Sequence, residues 1–170
     1  MIFVLIDMVI IRKAKLKDLK QITEIYNESI IKTNATFDTE IKSLKEQRKW
    51  FKDHGIKNPI LVAEQNGLIV GFASLSKWSD RCAYSDTAEI SLYVKEIYQG
   101  KGIGKNLMEK IIKEGEKANL HVIIARITSG NILSIHLHEK YGFEHIGVMK
   151  EVGKKFGKLL DVYIMQKIYK

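Results

Sequence analysis

Apolar and polar residues alternate with two different periods along this chain, and the changes of period mark its elements. Val9–Ala14 reads as a short strand. From about Lys17 the positions Leu19, Ile22, Ile25, Tyr26, Ser29 and Ile30 keep a spacing near 3.6, which predicts a first helix. Ser43-Leu44-Lys45-Glu46 is a capping box, in which the two polar side chains satisfy each other's main-chain amides, so a second helix carrying Trp50 and Phe51 begins there. Ile60–Glu64 and Leu68–Ala73 are apolar runs joined at Asn66-Gly67, the strongest short-range signal for a hairpin.

Between Thr87 and Lys95 the period is two, with Ala88, Ile90, Leu92 and Val94 opposed to Glu89, Ser91, Tyr93 and Lys95. A glycine-rich turn from Gln99 to Gly104 then leads into a helix ending near Ala118. A strand His121–Thr128, a short helix from about Leu133 to Lys140, and strands Phe143–Lys150 and Leu159–Tyr169 complete the chain. This order predicts an α/β (α+β) domain: a mixed, mostly antiparallel central sheet of about six to seven strands with helices on both faces.

The 170 residues fit one domain, read here as 9–170, and 45% hydrophobic content supplies a core. Residues 1–8 read as an N-terminal extension or part of the first strand; they carry no basic segment or cleavage site of a secretory signal. A single cysteine, Cys82, excludes an internal disulfide and suits a reducing, cytoplasmic compartment; it reads as a small packing residue. No apolar run reaches the ~18 residues of a membrane span. The charge is +8, from 28 basic and 20 acidic residues. The excess is scattered lysine rather than a clustered nucleic-acid footprint, and it suits a small anionic ligand.

Gln99-Gly100-Lys101-Gly102-Ile103-Gly104-Lys105 lies between a strand and a helix, where a tight turn and the helix N-terminus make an anion site. It is one residue too short for a Walker A loop, and Asn106 stands where the magnesium-binding hydroxyl belongs. A dinucleotide fingerprint would need glycine at Lys105. Lys101 and Lys105 make charge sense beside phosphates, the plainer alternative being two ordinary surface lysines.

The pattern that fits is Gln-x-x-Gly-x-Gly, filled by Gln99, Gly102 and Gly104, which resembles the pyrophosphate loop of the GCN5-related N-acetyltransferase (GNAT) superfamily. Asn131-Ile132-Leu133-Ser134 followed by Leu137-His138-Glu139-Lys140-Tyr141-Gly142-Phe143 is similar to the superfamily's second signature. More narrowly, Ala35–Glu40, Trp50-Phe51, Thr87–Val94, Leu137–Glu139 and Lys155–Asp161 resemble the phosphinothricin N-acetyltransferase family, which includes enzymes acting on methionine sulfone and methionine sulfoximine.

The resemblance implies the acyl-CoA N-acyltransferase fold and direct acetyl transfer from acetyl-CoA to a small amino-acid-like amine in a ternary complex. It implies coenzyme contacts from the strand backbone of Leu92, Tyr93 and Val94, from the loop Gln99, Gly100, Lys101, Gly102, Ile103, Gly104 and Lys105, and from Asn131. Glu89 would be the base that removes the ammonium proton, and His138 would stand where many superfamily members carry the tyrosine that protonates the leaving thiolate. A backbone amide near Leu92–Val94 would meet the oxyanion. Phe37, Trp78, Arg81 and Tyr84 match acceptor-pocket positions, while Ser79 stands where some phosphinothricin-specific members have lysine.

His136 and His138 are two apart on a helix and do not share a face, so no metal is expected. A protein N-terminal or other small-amine acetyltransferase remains the alternative within the class, and a non-catalytic acetyl-CoA-binding regulator the alternative outside it. A homodimer is left open by the resemblance.

Overall fold

A computed structural model describes residues 8–170. The expected extension over 1–8 lies, apart from exposed Met8, outside the described residues. Strands β1 (Val9–Lys13), β2 (Ile60–Gln65), β3 (Leu68–Lys77), β4 (Thr87–Val94), β5 (Val122–Thr128), β6 (Glu144–Lys155) and β7 (Lys158–Ile168) form one sheet in the order β1-β2-β3-β4-β5-β7-β6. Every neighbouring pair is antiparallel except β4 with β5. Helices α1 (Leu19–Lys32), α2 (Leu44–Lys52), α3 (Ile103–Lys117) and α4 (Ile132–Lys140) complete the fold.

Strand alternation divides the core between the two faces. On one, Ile103, Leu107, Met108 and Ile111 of α3 pack with Leu61, Ala73, Leu75, Ala88, Ile90, Ile123 and Met165. On the other, Ile22 and Ile25 of α1 pack with Ile60, Val62, Ile69 and Phe72. Each fully buried aliphatic side chain contributes about 1.5–3 kcal/mol relative to exposure, so the pattern of alternation fixes which face each strand residue takes. The capping box at Ser43 is formed, with Ser43 N donating to Glu46 Oε2 at 2.8 Å. The Asn66-Gly67 turn has positive φ at both residues, as a two-residue hairpin with right-handed strand twist demands.

Strand β6 is longer than the sequence pattern predicts, running to Lys155 rather than Lys150, while β7 keeps its expected length one residue earlier. The two strands run into each other through Phe156-Gly157, both at positive φ. The pattern hides this because a phenylalanine in that conformation is unusual and because register slips between Met149 and Gly153, where Glu151 also has positive φ. The tip of this hairpin reaches the segment between α1 and α2. Buried Lys155 donates its Nζ to Thr36 O at 2.7 Å, and Gly153 lies so close beneath the Phe37 ring that a methyl group there would overlap it.

Candidate active site

The site begins where the single parallel pairing ends. β4 and β5 are in register only from Thr87↔Val122 to Glu89↔Ile124; beyond that β5 stays on β7, while β4 stays on β3. The two strands therefore part into a wedge. Thr87 O accepts from Trp78 N and Lys95 N donates to Val70 O, so the odd-numbered residues of β4 turn their main-chain groups toward β3. In an antiparallel ladder the residues between them face the other way. Leu92 and Val94 thus present their amides to the open wedge.

Tyr93 does not, and this corrects the expectation that all three residues offer backbone to the coenzyme. Its carbonyl faces β3, close to Gly71, and its ring packs between Tyr26 and Phe72 at 5.2 and 5.3 Å. Burial pushes its phenol up to about 12.

The glycine loop lies at the mouth of the wedge. Gly100 and Gly102 have φ of 72° and 80°, and Gly102 is the N-cap of α3. The first main-chain bond of α3 runs from Asn106 N to Gly102 O, which leaves the amides of Ile103, Gly104 and Lys105 without acceptors inside the helix. A Cβ at Gly100 or Gly102 would meet no protein atom within 4 Å, so the loop is bare toward solvent. Lys101 and Lys105 are exposed beside it, Lys101 with its Nζ over the Tyr98 ring. Bare amides, a helix N-terminus and two exposed ammonium groups fit a pyrophosphate, and the adjoining strand edge fits an amide-bearing arm.

Two loop residues do less than expected. Ile103 is buried in the core and offers only its main chain. Gln99, itself exposed, donates its Nε2 to Val94 O at 3.0 Å and so closes the turn. Gly104 lies against the side chains of Leu92, Val94 and Leu137 and so seats α3 on the parted strand. Asn131 caps α4, its Oδ1 accepting from Ser134 N at 3.3 Å.

Glu89 stands at the apex of the wedge. Its two oxygens receive Nε and Nη2 of Arg126 on β5 at 2.5 and 2.7 Å. Arg126 lies over the Trp78 ring, 5.7 Å from its centroid, and the pairing holds its guanidinium pKa above the ordinary value. A bidentate pair uses one lone-pair site on each oxygen and leaves the others for a water or an ammonium group. Sequence reasoning missed Arg126, whose signal was a lone arginine on the polar side of an otherwise aliphatic strand.

His138 is buried and packs edge-on to Phe143. Its Nδ1 donates to Ser134 O at 2.7 Å, because a carbonyl only accepts, and Nε2 therefore keeps the lone pair of the neutral ring. Burial holds its pKa below the ordinary imidazole value, so the ring is neutral at pH 7. No hydrogen bond among the described residues joins it to Glu89.

The four acceptor-pocket candidates do not gather in one wall. Trp78 belongs to the Glu89–Arg126 cluster, Phe37 to the loop over Gly153, and Arg81 and Tyr84 are exposed on the β3–β4 connection. Cys82 is also exposed there, which corrects the expectation of a packing role; it sits in a single turn of 3-10 helix outside the sheet. Among the described residues, no three His, Cys, Asp or Glu side chains are grouped as metal ligands, and no helix is long and apolar enough to cross a membrane.

On the α1–α2 face, strands β3 and β4 floor a cleft of about 240 Å³ lined by Tyr26, Trp50, Tyr93, Ser74, Ser91 and the polar side chains Asp38, Lys42, Glu46 and Gln47. Tyr26 Oη donates to Asp38 Oδ2 at 2.6 Å, and Lys42 Nζ lies 3.3 Å from the same oxygen.

Residues 11–164 match the model of the acetyltransferase (GNAT) domain. An L-methionine sulfoximine/L-methionine sulfone acetyltransferase of Salmonella typhimurium is 37% identical over 157 residues, covering 92% of each chain. The solved structure of a GNAT phosphinothricin acetyltransferase from Sinorhizobium meliloti in complex with AcCoA superposes with a TM-score of 0.90 at 35% identity, over 94% of this chain and 88% of that one. A ribosomal-protein-alanine N-acetyltransferase from Brucella melitensis gives 0.90 at 37% identity, over 94% and 99%. With its parted strands and bare helix N-terminus, the chain belongs to the GNAT acetyltransferase family and is an N-acetyltransferase.

Proposed function

We propose that the protein moves the acetyl group of acetyl-CoA to the amino group of a small amino-acid-like acceptor, of the kind represented by methionine sulfone, methionine sulfoximine or phosphinothricin. The observation that carries this reading is the parting of β4 from β5 after Glu89, which turns two unpaired strand amides toward a site that also contains a carboxylate. Acetyl-CoA supplies an activated thioester carbonyl. The chain's residues do the rest. Gly100, Lys101, Gly102, Gly104 and Lys105, with the Ile103 main chain, hold the pyrophosphate. Val94 and Asn131 meet the pantetheine amides, and the Leu92 amide meets negative charge developing on the carbonyl oxygen.

An amine attacks only when its nitrogen carries a lone pair, so the acceptor ammonium must first lose a proton. Glu89, oriented by Arg126, takes that proton directly or through one water. His138 Nε2 can accept a proton and return it to the departing thiolate. Phe37, Trp78, Arg81 and Tyr84 bound the acceptor's approach; Arg81, exposed and without a carboxylate partner among the described residues, is free to pair with the acceptor carboxylate.

Thiol release from acetyl-CoA, measured across amino acids, aminoglycosides and N-terminal peptides, tests the reading. Turnover is expected with amino-acid analogues. Turnover confined to alanine-starting peptides would favour the alternative that the Brucella relative's name suggests, and coenzyme binding without turnover on any amine would favour a regulator.

We also place the chain, as one domain over 9–170, in the cytoplasm, on the strength of its lone exposed cysteine, and as a homodimer. Edge strand β6 leaves Ile146, Val148, Met149 and Val152 substantially exposed, apolar side chains along a free edge that a partner surface would cover. Sedimentation equilibrium is expected to give twice the chain mass for the parent and the single-chain mass for Val148→Glu; a monomeric parent overturns the assignment.

A further inference from the structure

We infer that the cleft on the α1–α2 face of the sheet receives the distal end of the acceptor, and that Ser74 recognises an uncharged polar group there. The inference rests on the reading of the acceptor as a small amino-acid-like amine, and deepens it to one subsite.

Ser74 and Ser91 face each other across β3 and β4 and form the floor of the cleft. Ser74 is 1% exposed, and its Oγ has no hydrogen-bond partner. Buried hydroxyls are rarely left so, because desolvation is repaid only by a partner. The habit is not general to the strand: Ser76, two residues on and on the same face, shares a 2.9 Å hydrogen bond with His54 Nε2. Ser74 therefore offers one donor and two acceptor positions into a space walled by Tyr26, Trp50 and Tyr93.

The location suits an acceptor side chain. Ser91 directly precedes Leu92, whose amide faces the wedge, and Ser74 lies one strand further away. Neighbouring strands are about 4.8 Å apart, so an amino acid with its amine at the open edge of β4 spans the distance with a side chain of roughly three to four heavy atoms.

The charge distribution selects the tip of that side chain. Asp38 and Lys42 are paired with each other, and Glu46 is committed to capping α2. The buried lysine of this region, Lys155, donates to Thr36 O and does not line the cleft. Among the described residues lining the cleft the one cation is therefore Lys42, which is held at Asp38 rather than at the serine floor. An anionic phosphinate would have to draw Lys42 away from Asp38 to gain a counter-charge, whereas a sulfone or sulfoximine oxygen accepts the Ser74 hydroxyl at no such cost.

The test compares kcat/KM by thiol release for L-methionine sulfone, L-methionine and phosphinothricin, in the parent protein, Ser74→Ala and Ser74→Thr. Methionine has the same chain without the sulfonyl oxygens. The parent is expected to prefer the sulfone to phosphinothricin by at least about tenfold. Ser74→Ala is expected to lower the sulfone-to-methionine ratio by about tenfold, and Ser74→Thr, which keeps a hydroxyl, to restore most of it. Thermal melts and calorimetric titration with acetyl-CoA establish that each variant is folded and loads the coenzyme. An unchanged ratio in Ser74→Ala, or a parent preference for phosphinothricin, overturns the subsite while leaving the acetyl-transfer reading intact. Turnover with peptides or aminoglycosides and with no amino acid overturns both.

Discussion

Glu89→Gln is expected to lower kcat by roughly 10²- to 10³-fold, the scale of a positioned general base, while the dissociation constant for acetyl-CoA stays within about twofold. The substitution keeps the volume of the side chain and removes only its charge and one acceptor. It also faces an amide NH₂ toward the guanidinium of Arg126, which now holds both carboxylate oxygens at 2.5 and 2.7 Å. Two donors cannot satisfy one another, so Arg126 will shift and the apex of the wedge will lose its fixed carboxylate. The coenzyme amides, carried by the far end of β4 and by α3, do not depend on that pair. Stopped-flow turnover beside calorimetry separates the two effects. An unchanged kcat would place the base elsewhere, with His138 Nε2 the next group to vary.

Gly102→Val is expected to weaken acetyl-CoA binding by more than about 100-fold with the fold retained. Gly102 has φ of 80°, a conformation that costs a residue with a Cβ on the order of 1–2 kcal/mol and a β-branched one more. No protein atom lies within 4 Å of the added Cβ, so the free protein accepts the side chain at the cost of backbone strain alone. What the valine fills is the hollow in front of the unpaired amides of Ile103, Gly104 and Lys105. Gly102→Ala, with one carbon instead of three, should lie between. Isothermal titration reads the affinity and a thermal melt the fold; full-strength binding by the valine variant would mean that the pyrophosphate lies somewhere else.

Much of this arrangement is legible in the sequence because local chemistry dictates it. Ser43 and Glu46 announce the start of α2, Asn66-Gly67 allows only a tight hairpin, and the strict alternation from Ala88 to Val94 assigns each residue of β4 to a face. The glycine loop is similarly self-declaring. What stays hidden depends on which strands become neighbours. The Glu89–Arg126 pair forms because β5 lies parallel beside β4 for just three residue pairs, and nothing local to either strand encodes that length. The orientation of Tyr93 toward β3 follows from hydrogen-bond phase, which alternates along the strand independently of hydrophobicity. The full length of β6 is obscured by a register slip and an aromatic residue in a turn. The acceptor candidates come from one family pattern, yet Phe37 packs on Gly153 of β6 and Trp78 under Arg126 of β5, because the segments that carry them meet different strands.

The bond from Lys155 to Thr36 joins positions 119 residues apart. During synthesis, a growing polypeptide can assemble its first four strands and α3 while the loop around Phe37 still lacks its anchor. Such long-separation contacts are the slow ones in folding. The β6–β7 hairpin is therefore the piece that pins a loop made 119 residues before it, and that loop stays unanchored until the hairpin has followed it off the ribosome.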